Sequence, residues 1–232
     1  EWLFVAREEE LAKPGDYMTL RIFGEPVVLA RDANAVLNAF ANLRSPSLTP
    51  FAIDLTALGS PALLGLVTTL SIANLLAAGR RGQAGVLLAS SLGAATLSRV
   101  LKHALVRARP VEVTQLISVD GYSYPSGHSL GSAAVFTTCA ILLCQRETQP
   151  RRRVAIFAVA AALVLAIGAS RVYLGVHYPS DVAAGICVGV SWALLIELAS
   201  RGIGALRGGL DFHHKRLIMK RWIAQRVITW RK

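Results

Sequence analysis

Between Pro61 and Ser200 the sequence holds five apolar stretches with charged or loop-forming residues between them: Pro61–Gly79, Gly82–Leu101, Gly127–Gln145, Val154–Ser170 and Val182–Ser200. A helix that crosses a bilayer needs about 20 mostly apolar residues, with a range near 17–25. One such run fits the interior of a soluble protein, but five in succession do not. All five are rich in Ala, Gly, Ser and Leu. Small residues let helices approach closely where lipid supplies no hydrophobic drive. The expected fold class is therefore all-α, an integral-membrane helical bundle of about five transmembrane helices.

The separators carry a sidedness. Arg80 and Arg81 divide the first two stretches, and Arg146, Arg151, Arg152 and Arg153 divide the third and fourth. Nine Lys or Arg lie between Arg201 and Lys232. With five crossings all three segments fall on one side, and the positive-inside rule makes that side cytoplasmic. The other side receives residues 102–126 and 171–181 and the N-terminal segment. Its Lys102, Arg107, Arg109 and Arg171 oppose the rule, and an anionic ligand is the simplest reason for them.

Composition excludes other classes. The chain has 53% hydrophobic and 17% charged residues, below the roughly 25% charged of soluble domains. The net charge of +11 could suggest nucleic acid. No nucleic-acid-binding motif is present, however, and basic loops beside apolar spans read as topology determinants. Cys139, Cys144 and Cys187 all lie in apolar stretches, with no disulfide framework or metal-ligand spacing. They read as small buried hydrophobes. No carboxylate cluster or His/Cys set with ligand spacing is visible, so neither a metal nor another cofactor is expected.

The two outer loops and their helix ends hold the chemistry. The first starts Lys102-His103-Ala104-Leu105-Val106-Arg107-Ala108-Arg109-Pro110 and closes Tyr124-Pro125-Ser126-Gly127-His128. The second runs from Ser170-Arg171 through Val176-His177 to Ser180-Asp181. Lys102, Arg109 and Arg171 supply positive charge, and the arginines have a fork geometry suited to phosphate. Pro125-Ser126-Gly127 reads as the start of the third span. There Ser126 suits the N-cap, Gly127 permits close backbone approach, and free N–H groups favour an anion. Ser126 taken alone is a simple cap, and each histidine taken alone is an interfacial residue. The spacing of His177 and Asp181, four residues apart, lets the carboxylate reach a ring nitrogen if the fifth span starts near Pro179.

The patterns K-x6-R-P, P-S-G-H and S-R-x5-H-x3-D resemble the three signature motifs of the type-2 phosphatidic acid phosphatase (PAP2) superfamily. Every fixed position is present in order, and the resemblance covers roughly residues 46 to 200. It implies a PAP2-type core in which His177 attacks phosphorus to form a phosphohistidine. By the same resemblance His128 protonates the leaving alkoxide and then activates water. Asp181 orients His177, and Lys102, Arg109, Ser126, Gly127 and Arg171 bind phosphate. The implied substrate is a lipid or isoprenoid phosphate or diphosphate; with the charge pattern above, the expected location is a bacterial inner membrane with the site facing the periplasm or the outside. Vanadium haloperoxidases share these pocket motifs but are larger soluble proteins. A catalytically idle PAP2-fold protein that binds or moves lipids would be expected to lack a motif residue, and none is missing. Diacylglycerol phosphates, undecaprenyl diphosphate, phosphatidylglycerol phosphate and lipid A phosphates all stay open as substrates, as does the oligomeric state.

The remaining polar residues read as ordinary. Arg99 marks a helix end and Arg107 is a solvated loop charge. His103, His213 and His214 are surface residues. Tyr122, Tyr124, Tyr173 and Tyr178 either line an entrance or form an interfacial aromatic belt, the belt being the expectation. Three parts follow: an extra-membrane segment of unknown role at 1–45, the phosphatase core at 46–205 and a basic cytoplasmic tail at 206–232. Tyr17–Arg31 reads as a hairpin turning at Gly24-Glu25. The stretch from Trp2 to Phe40 resembles the opening strands of Rieske oxygenase domains. It holds no Cys or His for the iron–sulfur centre those domains carry. No signal peptide is read at Glu1, and the sequence is expected to be a fragment or a processed form. Family members commonly have a further span before residue 46. Here Arg31, Asp32 and Asn34 interrupt the apolar run, so none is expected. The tail shows no clean 3.6-residue stripe and reads equally as leaflet-attached or as solvated and frayed.

Overall fold

The computed structural model describes the backbone of residues 17–22, 25–30 and 35–229 and the side chains of residues 35–204. Residues 1–16 and the side chains of the hairpin and tail, His213 and His214 included, lie outside that description. Strands β1 (Tyr17–Ile22) and β2 (Glu25–Ala30) pair antiparallel, with Ile22 opposite Glu25. The expected hairpin is present, but Glu25 belongs to its second strand and not to its turn.

Seven helices follow: α1 (Ala35–Asn42), α2 (Leu48–Ala57), α3 (Pro61–Ala77), α4 (Arg81–Leu105), α5 (Gly127–Cys144), α6 (Pro150–Tyr173) and α7 (Pro179–Thr229). Their starts are written locally. Pro61 and Pro150 occupy first-turn positions, where the missing N–H costs nothing. The Ser60 hydroxyl accepts the Leu63 N–H at 3.2 Å, capping α3. Helices α4, α5, α6 and residues Pro179–Gly204 of α7 are each long and apolar enough to cross a membrane. The first expected span, α3, has only 17 residues and is bent by 47° against α2. Counting that pair as one crossing makes five. Leu48–Ala57, absent from the five expected spans, is thus a helix in its own right.

Residues 1–193 form one compact unit. Its polarity is inverted relative to a soluble bundle. Ser90, Ser129, Ser132 and Thr138 are buried, whereas Leu66, Leu70, Leu92 and Leu165 are exposed. Large apolar side chains face lipid, and small or hydroxylated ones face neighbouring helices, where their hydrogen bonds find partners. Ser90 and Thr138 join α4 to α5 through their hydroxyls at 2.8 Å, and Trp192 Nε1 donates to the Ser90 carbonyl at 3.1 Å. Helix α7 rides directly on α5 at Gly185, where a Cβ would lie 2.7 Å from the Ser126 carbonyl oxygen. Residues 194–232 form a second unit. There Arg201 pairs with Glu197 one turn earlier at 2.8 Å, and the helix continues to Thr229. The tail expected to be leaflet-attached or frayed therefore has a helical backbone. It contains no proline and many good helix formers.

Candidate active site

Every motif falls at a helix end. Lys102 lies in the last turn of α4 and Arg171 in the last turn of α6. His128 opens α5 and Asp181 opens α7. Arg109 and His177 lie in the connections after α4 and α6. Successive crossings alternate in direction, so these ends meet on one side. Arg80, Arg81 and the 146–153 arginines lie at the opposite helix ends.

A cavity of about 590 Å³ brings together Lys102, Arg109, Gly127, His128, Arg171 and His177. It continues along α3 and α4 past Leu64, Thr68, Ile72, Leu88 and Leu92, an apolar path with few polar interruptions. Lys102 Nζ donates to the Tyr122 carbonyl. Arg109 is fixed by donation to the carbonyls of Asp120 and Gly121, each at 3.0 Å, and of Val176 at 2.8 Å. Burial pushes its guanidinium below the usual basicity. Arg171 is only 2% exposed; its Nη1 donates to Thr56 Oγ1 at 3.1 Å, and its buried Nε has no partner. Among the described residues none of these three cations forms a salt bridge with a carboxylate. Buried donors of this kind are normally satisfied, and an entering anion would supply the acceptor.

His177 is 2% exposed. Arg109 Nη1 lies 3.4 Å from its Nε2. A guanidinium can only donate, so Nε2 is the lone-pair nitrogen and Nδ1 carries the proton. Nδ1 faces Ser123 Oγ at 3.2 Å and Asp181 Oδ2 at 3.4 Å. Burial pushes the imidazole down to about 4, against the opposing hydrogen bond to Asp181. At neutral pH His177 is therefore an uncharged ring with a free nitrogen at the cavity, the state a nucleophile needs. His128 lines the same cavity. The corner between α2 and α3 presses on it: a Cβ at Gly59 would lie 3.3 Å from its ring and 2.6 Å from Ile167.

Ser126 is the expected N-cap of α5, but it does not stand at the cavity as a phosphate ligand would. It is fully buried behind Gly127 and does not line the cavity. Its hydroxyl receives the Ser129 N–H and hydroxyl, and its own N–H donates to the Asp181 carbonyl at 3.0 Å. It caps α5 and joins that helix to α7. The N–H groups of Gly127 and His128 then remain at the helix N-terminus to face an anion. A Cβ on Gly127 would sit 3.1 Å from Ser98 Oγ and 3.8 Å from Lys102.

The structure adds residues that the motifs do not name. Arg107, expected as a solvated loop charge, instead donates from Nη1 to Asp181 Oδ1 at 2.7 Å. The cause is local: Val106 adopts a left-handed conformation (φ 43°) at the end of α4 and turns the next residue inward. Ser123 and Thr56 carry no sequence signal at all. Arg99, expected only to mark a helix end, lines the cavity. Tyr173 is not in an aromatic belt. It is buried, and its hydroxyl meets the Ser45 N–H at 3.1 Å and Thr49 Oγ1 at 3.2 Å. The Tyr178 hydroxyl donates to Glu112 at 3.1 Å. Among the described residues no group of three or more His, Cys, Asp or Glu is arranged to hold a metal ion.

Comparison with known proteins bears on the family and the fold. The sequence model of the PAP2 superfamily matches residues 83–202. Phosphatidylglycerophosphatase B of Bacillus subtilis is 29% identical over 169 residues, 70% of this chain and 80% of that one. Lipid A 1-phosphatase of Rhizobium johnstonii is 37% identical over 119 residues, which span 47% of this chain and 45% of that one. The crystal structure of a transmembrane PAP2-type phosphatidylglycerolphosphate phosphatase from Bacillus subtilis superposes with a TM-score of 0.69. At 26% identity it covers 74% of this chain and 85% of its own.

Proposed function

This chain belongs to the PAP2 superfamily, and from that premise we propose that it hydrolyses a lipid or isoprenoid phosphate or diphosphate through a phosphohistidine on His177. One observation carries the reading: three cations with no carboxylate partner among the described residues meet a neutral histidine at the head of a cavity whose remainder is mostly apolar. A phosphate headgroup fits the first part and a hydrocarbon chain the second. The proposed core is residues 46–205, in a bacterial inner membrane with the site facing the periplasm, since the arginine-rich helix ends lie opposite it.

The chemistry follows from the geometry. Phosphoryl transfer spreads charge over three equatorial oxygens, and Lys102, Arg109, Arg171 and the N-terminus of α5 surround them. Nε2 of His177 attacks phosphorus as the bond to the leaving oxygen breaks, and His128, which takes up a proton as the anionic phosphate binds beside it, gives that oxygen its proton. The resulting phosphoimidazolium keeps its Nδ1 proton, facing Ser123 and Asp181. Neutral His128 then takes a proton from water as the hydroxide attacks phosphorus. The P–N bond breaks, its electron pair returns to Nε2, and inorganic phosphate leaves. No step uses a metal.

The test is phosphate release by the purified chain in detergent, over phosphatidic acid, phosphatidylglycerol phosphate, undecaprenyl diphosphate and lipid A, with and without EDTA. Turnover of at least one lipid, unaffected by EDTA, supports the reading. Loss with EDTA that a divalent ion restores rejects the metal-free mechanism. Binding of these lipids with no release from any of them favours the idle lipid-binding alternative.

A further inference from the structure

We propose that Arg107 and Ser123, which belong to none of the three motifs, are positioning residues that hold Asp181 and, through it, the attacking tautomer of His177. The inference rests on the phosphohistidine reading above. Asp181 is completely buried. Its Oδ1 accepts Arg107 Nη1 at 2.7 Å, and its Oδ2 accepts the Tyr178 N–H at 2.9 Å and the Ser123 hydroxyl. A buried carboxylate is tolerated only when paired and hydrogen-bonded, and Arg107 is the cation that pairs it.

Ser123 links the carboxylate to the ring. It has one hydroxyl proton, which goes to Asp181 Oδ2. Its lone pairs therefore face His177 Nδ1 at 3.2 Å, nearer than the carboxylate oxygen at 3.4 Å. The Nδ1 proton of His177 is shared between these two acceptors, which leaves Nε2 free at the cavity. As the N–P bond forms, positive charge grows on the ring, and both oxygens stabilise it.

The backbone supports the same assembly. The Ser123 N–H donates to the Arg107 carbonyl at 2.8 Å, so the two residues form one unit. Val106, a β-branched residue, holds a positive φ of 43° immediately before it. Such a conformation persists only where its surroundings demand it. Arg107 also donates to Ser180 Oγ at 2.8 Å and lies over the Tyr178 ring at 4.2 Å. These contacts fix it from three directions, although part of its side chain stays exposed.

The test is the pre-steady-state burst of p-nitrophenolate from p-nitrophenyl phosphate, measured on the full chain in detergent for wild type, R107Q, R107K, S123A and H177A. Loss of the groups that orient a metal-bound histidine costs about 10–100-fold, and a fall of that order in burst rate is expected for R107Q and S123A. The half-saturating concentration should change by less than about twofold, because neither residue binds phosphate. R107K keeps a cation at the carboxylate and should recover several-fold of the loss. R107K and S123A stand on different segments, and gel filtration with thermal unfolding shows which variants are folded. Burst rates equal to wild type in R107Q and S123A overturn the proposal. So does a rise in half-saturating concentration at constant burst rate, which would make Arg107 a substrate-binding cation. Inversion of configuration at a chirally labelled phosphorus during wild-type turnover, instead of the retention that two displacements give, sinks the underlying phosphohistidine reading and the positioning role with it. A wild-type burst that H177A lacks keeps that reading standing whatever the other variants do.

Discussion

Helix α7 approaches the N-terminus of α5 through Gly185, and replacing that glycine by alanine tests whether this approach sets the catalytic geometry. The new Cβ would lie 2.7 Å from the Ser126 carbonyl oxygen, 3.1 Å from Ser129 Cβ and 3.2 Å from the Leu130 nitrogen. Two of these three are backbone atoms, so no side chain can swing away and the helices must separate. Ser126 begins the turn that carries Gly127 and His128, and its N–H holds the Asp181 carbonyl at 3.0 Å. The strain therefore falls between the proposed acid and the nucleophile's carboxylate. A misplacement of 1 Å can cost about 10²-fold, so a shift of about 0.5 Å predicts a burst rate about tenfold lower. Overpacking costs about 1–3 kcal/mol, offset by about 0.5–1 kcal/mol from replacing glycine in a helix interior. At about 2–4 °C per kcal/mol for a chain of this size, Tm should fall by a few degrees. The assay pairs thermal unfolding with the p-nitrophenolate burst, using Gly85→Ala as the control. A Cβ at Gly85 meets nothing within 4 Å, and both readouts should stay at wild type or above. A G185A protein with wild-type Tm and wild-type burst would refute the argument that this contact holds the site in register.

Four further outcomes are expected. Replacing His177 with Ala should abolish turnover of every phosphate ester. Replacing His128 with Ala should cost a lipid phosphate about 10²–10⁴-fold in single-turnover phosphoenzyme formation, and p-nitrophenyl phosphate much less, because p-nitrophenolate leaves without a proton. Phosphate trapped on His128 instead of His177, after an alkaline detergent quench, would reverse the two roles. Burial holds His177 at about 4, so the attacking form persists as pH falls and is lost only on passing that value. After correction for the substrate's second ionisation near pH 6, kcat/KM should not fall on the acid side of about pH 6.5, and such a fall there would contradict a buried neutral nucleophile. In a background lacking the native cysteines, a cysteine at Gly121 should react with an impermeant thiol reagent from outside. One at Gln149 should react only after permeabilisation, and the opposite pattern would invert the topology.

The membrane class, the helix starts and the gathering of the motif residues at one cavity were legible in the chain because each depends on local spacing. Apolar runs of bilayer length permit little besides spanning helices, since backbone groups in lipid must be satisfied within the segment. Ser60-Pro61 and Ser126-Gly127 announce their helices within a few residues. The three motifs name Lys102, Arg109, His128, Arg171, His177 and Asp181 because functional groups at helix ends need fixed intervals to share a side. What surrounds and aims those groups comes from contacts between residues far apart in sequence. Arg107 meets Asp181 across 74 positions, Ser123 meets His177 across 54, and Arg171 meets Thr56 across 115. A single serine, threonine or loop arginine has no periodicity to mark it. Only packing brings Ser123 between the ring and the carboxylate, buries Tyr173 and keeps the Ser126 hydroxyl out of the cavity. Local pattern determined which residues gather at the helix ends, and tertiary contact decided the charge, tautomer and aim with which they face the cavity.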